Sequence, residues 1–390
     1  MTKKKIGLLL AYKNTNYGAQ LQAWATQYVL ESIGFETEII EYKNRRHFES
    51  LNIDRGVLTY LLNSYRNKKL RERTRRIDAS DKIAIENKKK RECIYKDFIL
   101  RRLHNITYYT GMKELLNGTS SLYAVMIGSD QKWLPGACYS KLSSLSFVPC
   151  GVRRISYATS LGVSDYPKYC RHSSCKMWRA IDFLSVREEQ GAKIIRQVCD
   201  DVNVSVVVDP TYLISEEEWK KLVPEKKMFE KKYVLCYFLG NDDEAKKGVR
   251  RYADENGLKL VSILSNESLS DLDKSFADEL VTSATPEDFI NWIRGAEIVF
   301  TDSFHGLTFS VINQKQFFVY YRKRDDAKQS RNSRIDNILA KWHLESRLLT
   351  SEQMYRERLR EVIDYNFVES LVSKERNKSM EFLNKALAVE

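Results

Sequence analysis

No stretch of this chain approaches the roughly 20 apolar residues needed to cross a bilayer. The amino-terminal apolar run, Ile6 to Ala11, is too short for the core of a secretion signal. A cytoplasmic protein is the expectation. Histidine is scarce, at five of 390 residues, and the seven cysteines (Cys93, Cys138, Cys150, Cys170, Cys175, Cys199 and Cys236) are odd in number and scattered. Disulfide frameworks and zinc sites use paired, closely spaced ligands, so reduced thiols and no metal are expected; Cys170 and Cys175 flank His172 but lack a second ligand pair. Glycine fingerprints for phosphates are missing as well. Gly7 stands alone, with no G-x-G-x-x-G and no Walker loop, which leaves NAD and ATP without support and implies no cofactor.

What the chain does have is size and a mixed surface. At 390 residues it exceeds what one hydrophobic core organises, and two domains of roughly 150 to 200 residues are expected. Its net charge of +12 suits nucleic acid, an anionic membrane face or a phosphorylated, carboxylated substrate, and charge alone does not choose. Much of the excess lies between Arg66 and Arg102, where Lys and Arg recur among Ile and Leu at helical spacing. The plain reading is a solvated helical face, with a lipid or polyanion patch as the alternative.

Short apolar strand candidates alternate with amphipathic helices, the pattern of βαβ units and parallel sheets. Strands are expected at Ile6 to Ala11, Thr37 to Tyr42, Leu122 to Ile127, Arg154 to Thr159, Phe183 to Val186 and Val204 to Val208. A second set follows at Tyr233 to Phe238, Leu258 to Leu264, Glu297 to Thr301 and Phe317 to Tyr320. The expected fold is α/β, with a Rossmann-like domain at 1–222 and another at 223–350. The basic stretch at about 45–118 reads as a helical insertion. Residues 351–390 read as helices packing back on the domain junction.

In open α/β sheets the loops at the carboxyl ends of strands converge on the ligand crevice. Here they carry Asn16, Tyr17, Gly18 and Gln20 after the first strand, then Ser129, Asp130, Gln131 and Trp133, Ser160, Arg187, Asp209, and Ser303, His305 and Gly306. His305 is the first candidate for acid–base work, because imidazole changes charge near neutrality. It precedes Gly306, which permits close backbone approach, and opens a helix whose amides could hold an anion. Asp130 can orient or deprotonate a sugar hydroxyl, and Trp133 can stack on a sugar face. Arg187 projects five donors that match carboxylate or phosphate oxygens.

Six segments in order carry a resemblance: Asn16-Tyr17-Gly18-Ala19-Gln20-Leu21-Gln22, Gly128-Ser129-Asp130-Gln131-Lys132-Trp133, Ser156 to Gly162, Ser185 to Gly191, Asp209-Pro210-Thr211-Tyr212-Leu213 and Thr301-Asp302-Ser303-Phe304-His305-Gly306. Together they resemble the polysaccharide pyruvyl transferase family over about residues 6 to 320. The resemblance implies two Rossmann-like domains in a glycosyltransferase-B-like arrangement. It also implies transfer of pyruvate from phosphoenolpyruvate to a sugar of a cell-surface polysaccharide or exopolysaccharide, as a ketal.

Expected partners are phosphoenolpyruvate and a glycan or lipid-linked oligosaccharide, with peripheral contact at an anionic membrane face and no nucleic acid. His305 becomes the acid or base and Arg187 the anion clamp. The chain departs from the family pattern at Ser303, where an arginine is usual; Lys132, Arg153 and Arg322 are the sequence candidates for a replacement. A nucleotide-sugar glycosyltransferase and a non-catalytic glycan-binding relative are the alternatives.

Overall fold

The computed structural model describes residues 3–13, 15–74, 82–240, 242–264, 275–322, 332–349, 358 and 361–388. The first half runs β1 (Lys5–Leu9), α1 (Tyr17–Ser32), β2 (Glu36–Lys43), α2 (Val57–Thr74), α3 (Lys82–Arg102), β3 (Ile106–Thr110), α4 (Met112–Thr119), β4 (Ala124–Asp130), β5 (Arg153–Thr159), α5 (Lys168–Arg179), β6 (Phe183–Val186), α6 (Glu189–Val198) and β7 (Ser205–Val206). After α7 (Glu216–Leu222) come β8 (Tyr233–Tyr237), α8 (Asp243–Glu255), β9 (Lys259–Ile263), β10 (Glu279–Val281), α9 (Pro286–Gly295), β11 (Ile298–Thr301), α10 (Phe304–Ile312), β12 (Phe317–Tyr320), α11 (Ser333–Lys341), β13 (Leu348–Leu349) and α12 (Tyr365–Leu387).

The strands form two parallel sheets, ordered β3-β2-β1-β4-β5-β6-β7 and β10-β9-β8-β11-β12-β13. Chain order reverses between β1 and β4 in one sheet and between β8 and β11 in the other, which opens a crevice above each reversal. Central strands covered on both faces must be apolar throughout: all five residues of β8 are buried, as are Ala124 to Ser129 of β4. Local signals set the helix ends. Gly34, at φ 98°, takes the left-handed position just after α1. Thr285 and Asp288 form a reciprocal capping box at α9, with Pro286 in its first turn.

The two halves share a core. Tyr17 of α1 stacks on Phe289 of α9 at 4.9 Å and 9° between planes. Trp24 packs edge-on against Trp219 of α7 at 5.5 Å. Helix α12 begins against the second half, where the Tyr365 hydroxyl donates to the Lys315 carbonyl, and ends against the first, where the Tyr123 hydroxyl donates to the Leu387 carbonyl at 2.9 Å. Midway, Ser379 Oγ accepts from the Val208 backbone N–H at 3.0 Å.

Several expectations need correction. The helical insertion does not reach residue 118, because Ile106–Thr110 is strand β3, paired with β2 from Ile39 to Lys43 at the sheet edge. Its short alternating run is masked in the sequence by the basic helices before it. Residues 351–388 are not wholly helical: 361–364 are non-helical and Asp364 caps α12, while 351–357 lie outside the described residues. The strand expected at Val204 to Val208 shortens to two residues. Not all cysteines are reduced, since α5 and α6 lie side by side and bring Cys175 and Cys199 into a disulfide.

Candidate active site

The site is assembled where strand ends of both sheets meet. Thr301 ends β11, and its hydroxyl donates to the Tyr237 carbonyl at 2.6 Å while accepting from the Ser303 N–H at 3.0 Å. Ser303 then caps α10, its Oγ accepting from the Gly306 N–H at 3.3 Å. Gly306 has no alternative here: a β-carbon would lie 2.4 Å from Thr301 Oγ1. This turn sets His305 in the first turn of α10, buried at 7% exposure.

Asp209 organises the other wall. Its Oδ1 accepts from Thr211 N–H at 3.1 Å and Thr211 Oγ1 at 2.8 Å, which locks the rotamer. Oδ2 accepts from Arg187 Nη1 at 2.7 Å and from Ser129 Oγ at 3.2 Å, and lies 4.0 Å from His305 Nε2. Arg187 lies with its Nε 3.6 Å from Glu188 Oε1 and its Cζ 4.2 Å from the Phe304 ring centroid. Glu188 in turn accepts from Ser160 Oγ at 2.5 Å. A second guanidinium, Arg334 in the first turn of α11, approaches the same Phe304 ring at 5.8 Å. Arg187 Nε and Nη2, Arg334 Nε and His305 Nε2 are buried without a hydrogen bond within the protein. Unsatisfied buried polar atoms are costly, and here three guanidinium N–H groups can donate to a ligand's acceptor atoms while the bare nitrogen of neutral His305 can accept.

Charge is finely divided here. Burial pushes His305 down to about 4; Asp209 and Asp130 pull it up, but Arg187 and Arg334 push it down again. The imidazole is therefore neutral at pH 7. Burial and the neighbouring Arg187 bring Arg334 down to about 10, which leaves it charged. Burial works against ionised Asp209 and Asp130, yet Arg187 and His305 outweigh it and hold both carboxyls below the usual range. Asp130 sits at φ 66°, and its carbonyl accepts from the N–H groups of Lys132 at 2.8 Å and Ser160 at 2.9 Å.

Beyond Arg187, Asp209, Phe304 and Arg334 opens a cavity of about 470 Å³. One side is α11, with Ile338 and Lys341, and the other is α12, with Leu371 and Lys374.

The structure thus brings together His305, Arg187, Asp209, Asp130, Ser129, Ser160, Ser303 and Gly306. It assigns other tasks to the rest of the sequence candidates. Trp133 does not offer a sugar platform: it is fully buried in the core, its Nε1 donating to the Ser143 carbonyl at 3.0 Å. Asn16 is the cap of α1, accepting from Ala19 N–H, and Tyr17 packs in the shared core. Gln20 is buried, donating to the carbonyls of Tyr12 and Tyr95, both at 3.3 Å. Gln131 packs beside Gly162, whose added β-carbon would meet its Nε2 at 2.8 Å. Gly18 serves the site sterically, since a β-carbon there would fall 2.0 Å from His305 Cγ and Nδ1.

None of the three expected replacements for the arginine missing at 303 stands beside Phe304. Lys132 donates to the Leu10 carbonyl, Arg322 Nε lies 3.6 Å from Asp302, and Arg153 is bound to Tyr123 and to the Ala386 carbonyl. The second guanidinium beside Phe304 is that of Arg334. Its only sequence signal is its position before the apolar stripe of Ile335, Ile338 and Leu339.

No curated protein matches the chain in sequence. In fold it is similar to a UDP-N-acetylglucosamine 2-epimerase (TM-score 0.52, 12% identity, 98% of this chain and 96% of that one). It is also similar to the Neisseria meningitidis UDP-GlcNAc 2-epimerase bound to UDP-GlcNAc (0.51, 13%, 98% and 100%) and to S. aureus MnaA in a co-structure with UDP (0.50, 12%, 100% and 98%). These likenesses show a glycosyltransferase-B-like α/β fold. The polysaccharide pyruvyl transferase model matches residues 16–324, a span that includes every residue of the charged cluster except Arg334, and the chain belongs to that family.

Proposed function

We propose that the protein transfers pyruvate from phosphoenolpyruvate to two hydroxyls of a glycan, forming a ketal and releasing inorganic phosphate. The observation that carries this reading is the pair of guanidiniums near the Phe304 ring, buried Arg187 and partly buried Arg334, with unbonded donors beside a neutral His305. A compact donor with a carboxylate and a phosphate supplies acceptor oxygens for two such forks.

The chemistry asks little else. A sugar hydroxyl adds to C2 of the enol as C3 gains a proton; the second hydroxyl adds to C2 as the C2–O bond to phosphate breaks. His305 Nε2, neutral before binding, takes the proton of the first hydroxyl and returns it to C3. It passes the second hydroxyl's proton to the departing phosphate. Bound negative charge raises the pKa of His305, which lets a residue that starts as a base act next as an acid. Arg187 and Arg334 stabilise the charge gathering on the phosphate. Asp209 holds Arg187, and the ionised Asp130 accepts from and orients the attacking hydroxyl. The remaining cavity between α11 and α12 houses the glycan.

The test is phosphate release from phosphoenolpyruvate with a panel of glycans and lipid-linked oligosaccharides, with pyruvylated product read by mass. Release that depends on acceptor and vanishes in His305→Ala supports the proposal. Turnover of a UDP-sugar with no consumption of phosphoenolpyruvate would replace it with glycosyl transfer.

A further inference from the structure

The protein's excess of positive charge lies in one stretch of its sequence. Residues 43–102 hold nineteen Lys and Arg against eight Asp and Glu, which is +11 of the chain's +12. This segment leaves the sheet after β2 and returns as β3, with α2 and α3 between. It also carries most of the large apolar side chains that the structure leaves in solvent: Phe48 is 66% exposed, Ile53 88%, Leu58 73%, Leu62 65% and Tyr65 63%.

These are not scattered. Leu58, Leu62 and Tyr65 follow i, i+4, i+7 spacing and share one face of α2. The inner face is spoken for: Val57 is buried, and the Tyr60 ring packs 5.1 Å from that of Tyr139. Around the outer face stand exposed Arg55 and Arg66, and the preceding loop exposes Arg45, Arg46 and His47. A helix face with leucines outward and cations around it gains free energy only where an apolar layer lies beneath an anionic one.

We infer that α2 and the loop before it dock the protein on an anionic bilayer leaflet, with Leu58, Leu62 and Tyr65 entering the acyl boundary and the flanking arginines meeting lipid phosphates. The charge distribution argues against the other occupants. A second copy would set the exposed Arg45, Arg46, Arg55 and Arg66 of one face against those of another. A nucleic acid would use the cations and leave the leucines in water. The inference stands apart from the proposed reaction and does not depend on the donor.

The experiment is co-sedimentation of the full chain with phosphatidylcholine vesicles containing about 30% phosphatidylglycerol, and with phosphatidylcholine alone. The protein should sediment with the anionic vesicles only and be released at about 0.5 M salt, where screening is strong. The double variant Leu58→Glu/Leu62→Glu, both at exposed positions, should weaken partition about tenfold or more. Leu116→Glu, an exposed apolar position outside the segment, should leave it unchanged.

No sedimentation with anionic vesicles overturns the proposal. So does undiminished binding by the double variant, which would mean a charge-only polyanion patch. A wild-type dimer in light scattering that Leu62→Glu dissolves would equally overturn it, because a second copy would then cover the face.

Discussion

Gly18 and His305 meet across the two halves of the molecule: a β-carbon on Gly18 would fall 2.0 Å from Cγ and Nδ1 of the imidazole. The first turn of α1 therefore fixes where the candidate acid–base residue can stand. Gly18→Ala should displace His305, cost about 1–3 kcal/mol through overpacking, and abolish turnover. Because His305 Cβ is also close, at 2.6 Å, only removal of the whole side chain relieves the clash. Gly18→Ala/His305→Gly should melt higher than the sum of the single effects allows, a coupling that thermal unfolding of all four proteins measures.

The neutral, buried state of His305 makes stability depend on pH. Its folded value of about 4 lies below the value of about 6.5 of a free imidazole. Between those values the unfolded chain binds the extra proton, so stability is complete above about 6.5 and falls as pH drops toward 4, by on the order of 3 kcal/mol. Depressed Asp130 and Asp209 lose their contribution only further down, as pH falls through their lowered folded values. His305→Gln should flatten the slope between pH 6.5 and 4 in denaturant titrations. A wild-type midpoint constant across that window would contradict the burial argument.

Trp133 is legible from its neighbours only as a loop residue after a strand, yet it fills the core with its indole N–H satisfied. Trp133→Ala should destabilise by about 3–5 kcal/mol, as large core truncations do. Calorimetry would register that loss. A fully stable variant with selectively weakened glycan affinity would restore the sugar-platform reading.

These residues show where sequence reasoning reaches and where it stops. Strand alternation located ten strands, because parallel central strands must be apolar on both faces; Phe183–Val186 and Phe317–Tyr320 have the expected bounds. It missed three: β3, a five-residue edge strand behind a basic helix, β10, an edge strand of three residues, and β13, of two residues. At the site, polar residues placed just after strands identified Arg187, Asp209 and His305, since strand ends dictate their direction. Asn16, Tyr17 and Gln20 share that placement, but Asn16 caps α1 while Tyr17 and Gln20 are buried in packing, and only the tertiary structure distinguishes them. Arg334 was out of reach because it comes from a helix start, and nothing local in the sequence says that Phe304 lies beside it.

Arg334 also makes a kinetic prediction. Losing one charge-assisted fork, worth about 1.5–3 kcal/mol, should raise KM for phosphoenolpyruvate about ten- to a hundredfold in Arg334→Ala. Arg334→Lys should recover part of that loss. Arg153→Ala, whose partners are Tyr123 and the Ala386 carbonyl, should keep the wild-type KM.

The most direct test of the anion pocket is thermal melting of the wild type, Arg187→Lys and Arg334→Ala with phosphoenolpyruvate, pyruvate, phosphate and UDP-sugars. The two-guanidinium site predicts that phosphoenolpyruvate raises the wild-type midpoint more than pyruvate or phosphate alone, and that each substitution removes most of the gain. A midpoint that moves only with a UDP-sugar, or a phosphoenolpyruvate shift that survives in both variants, would contradict it.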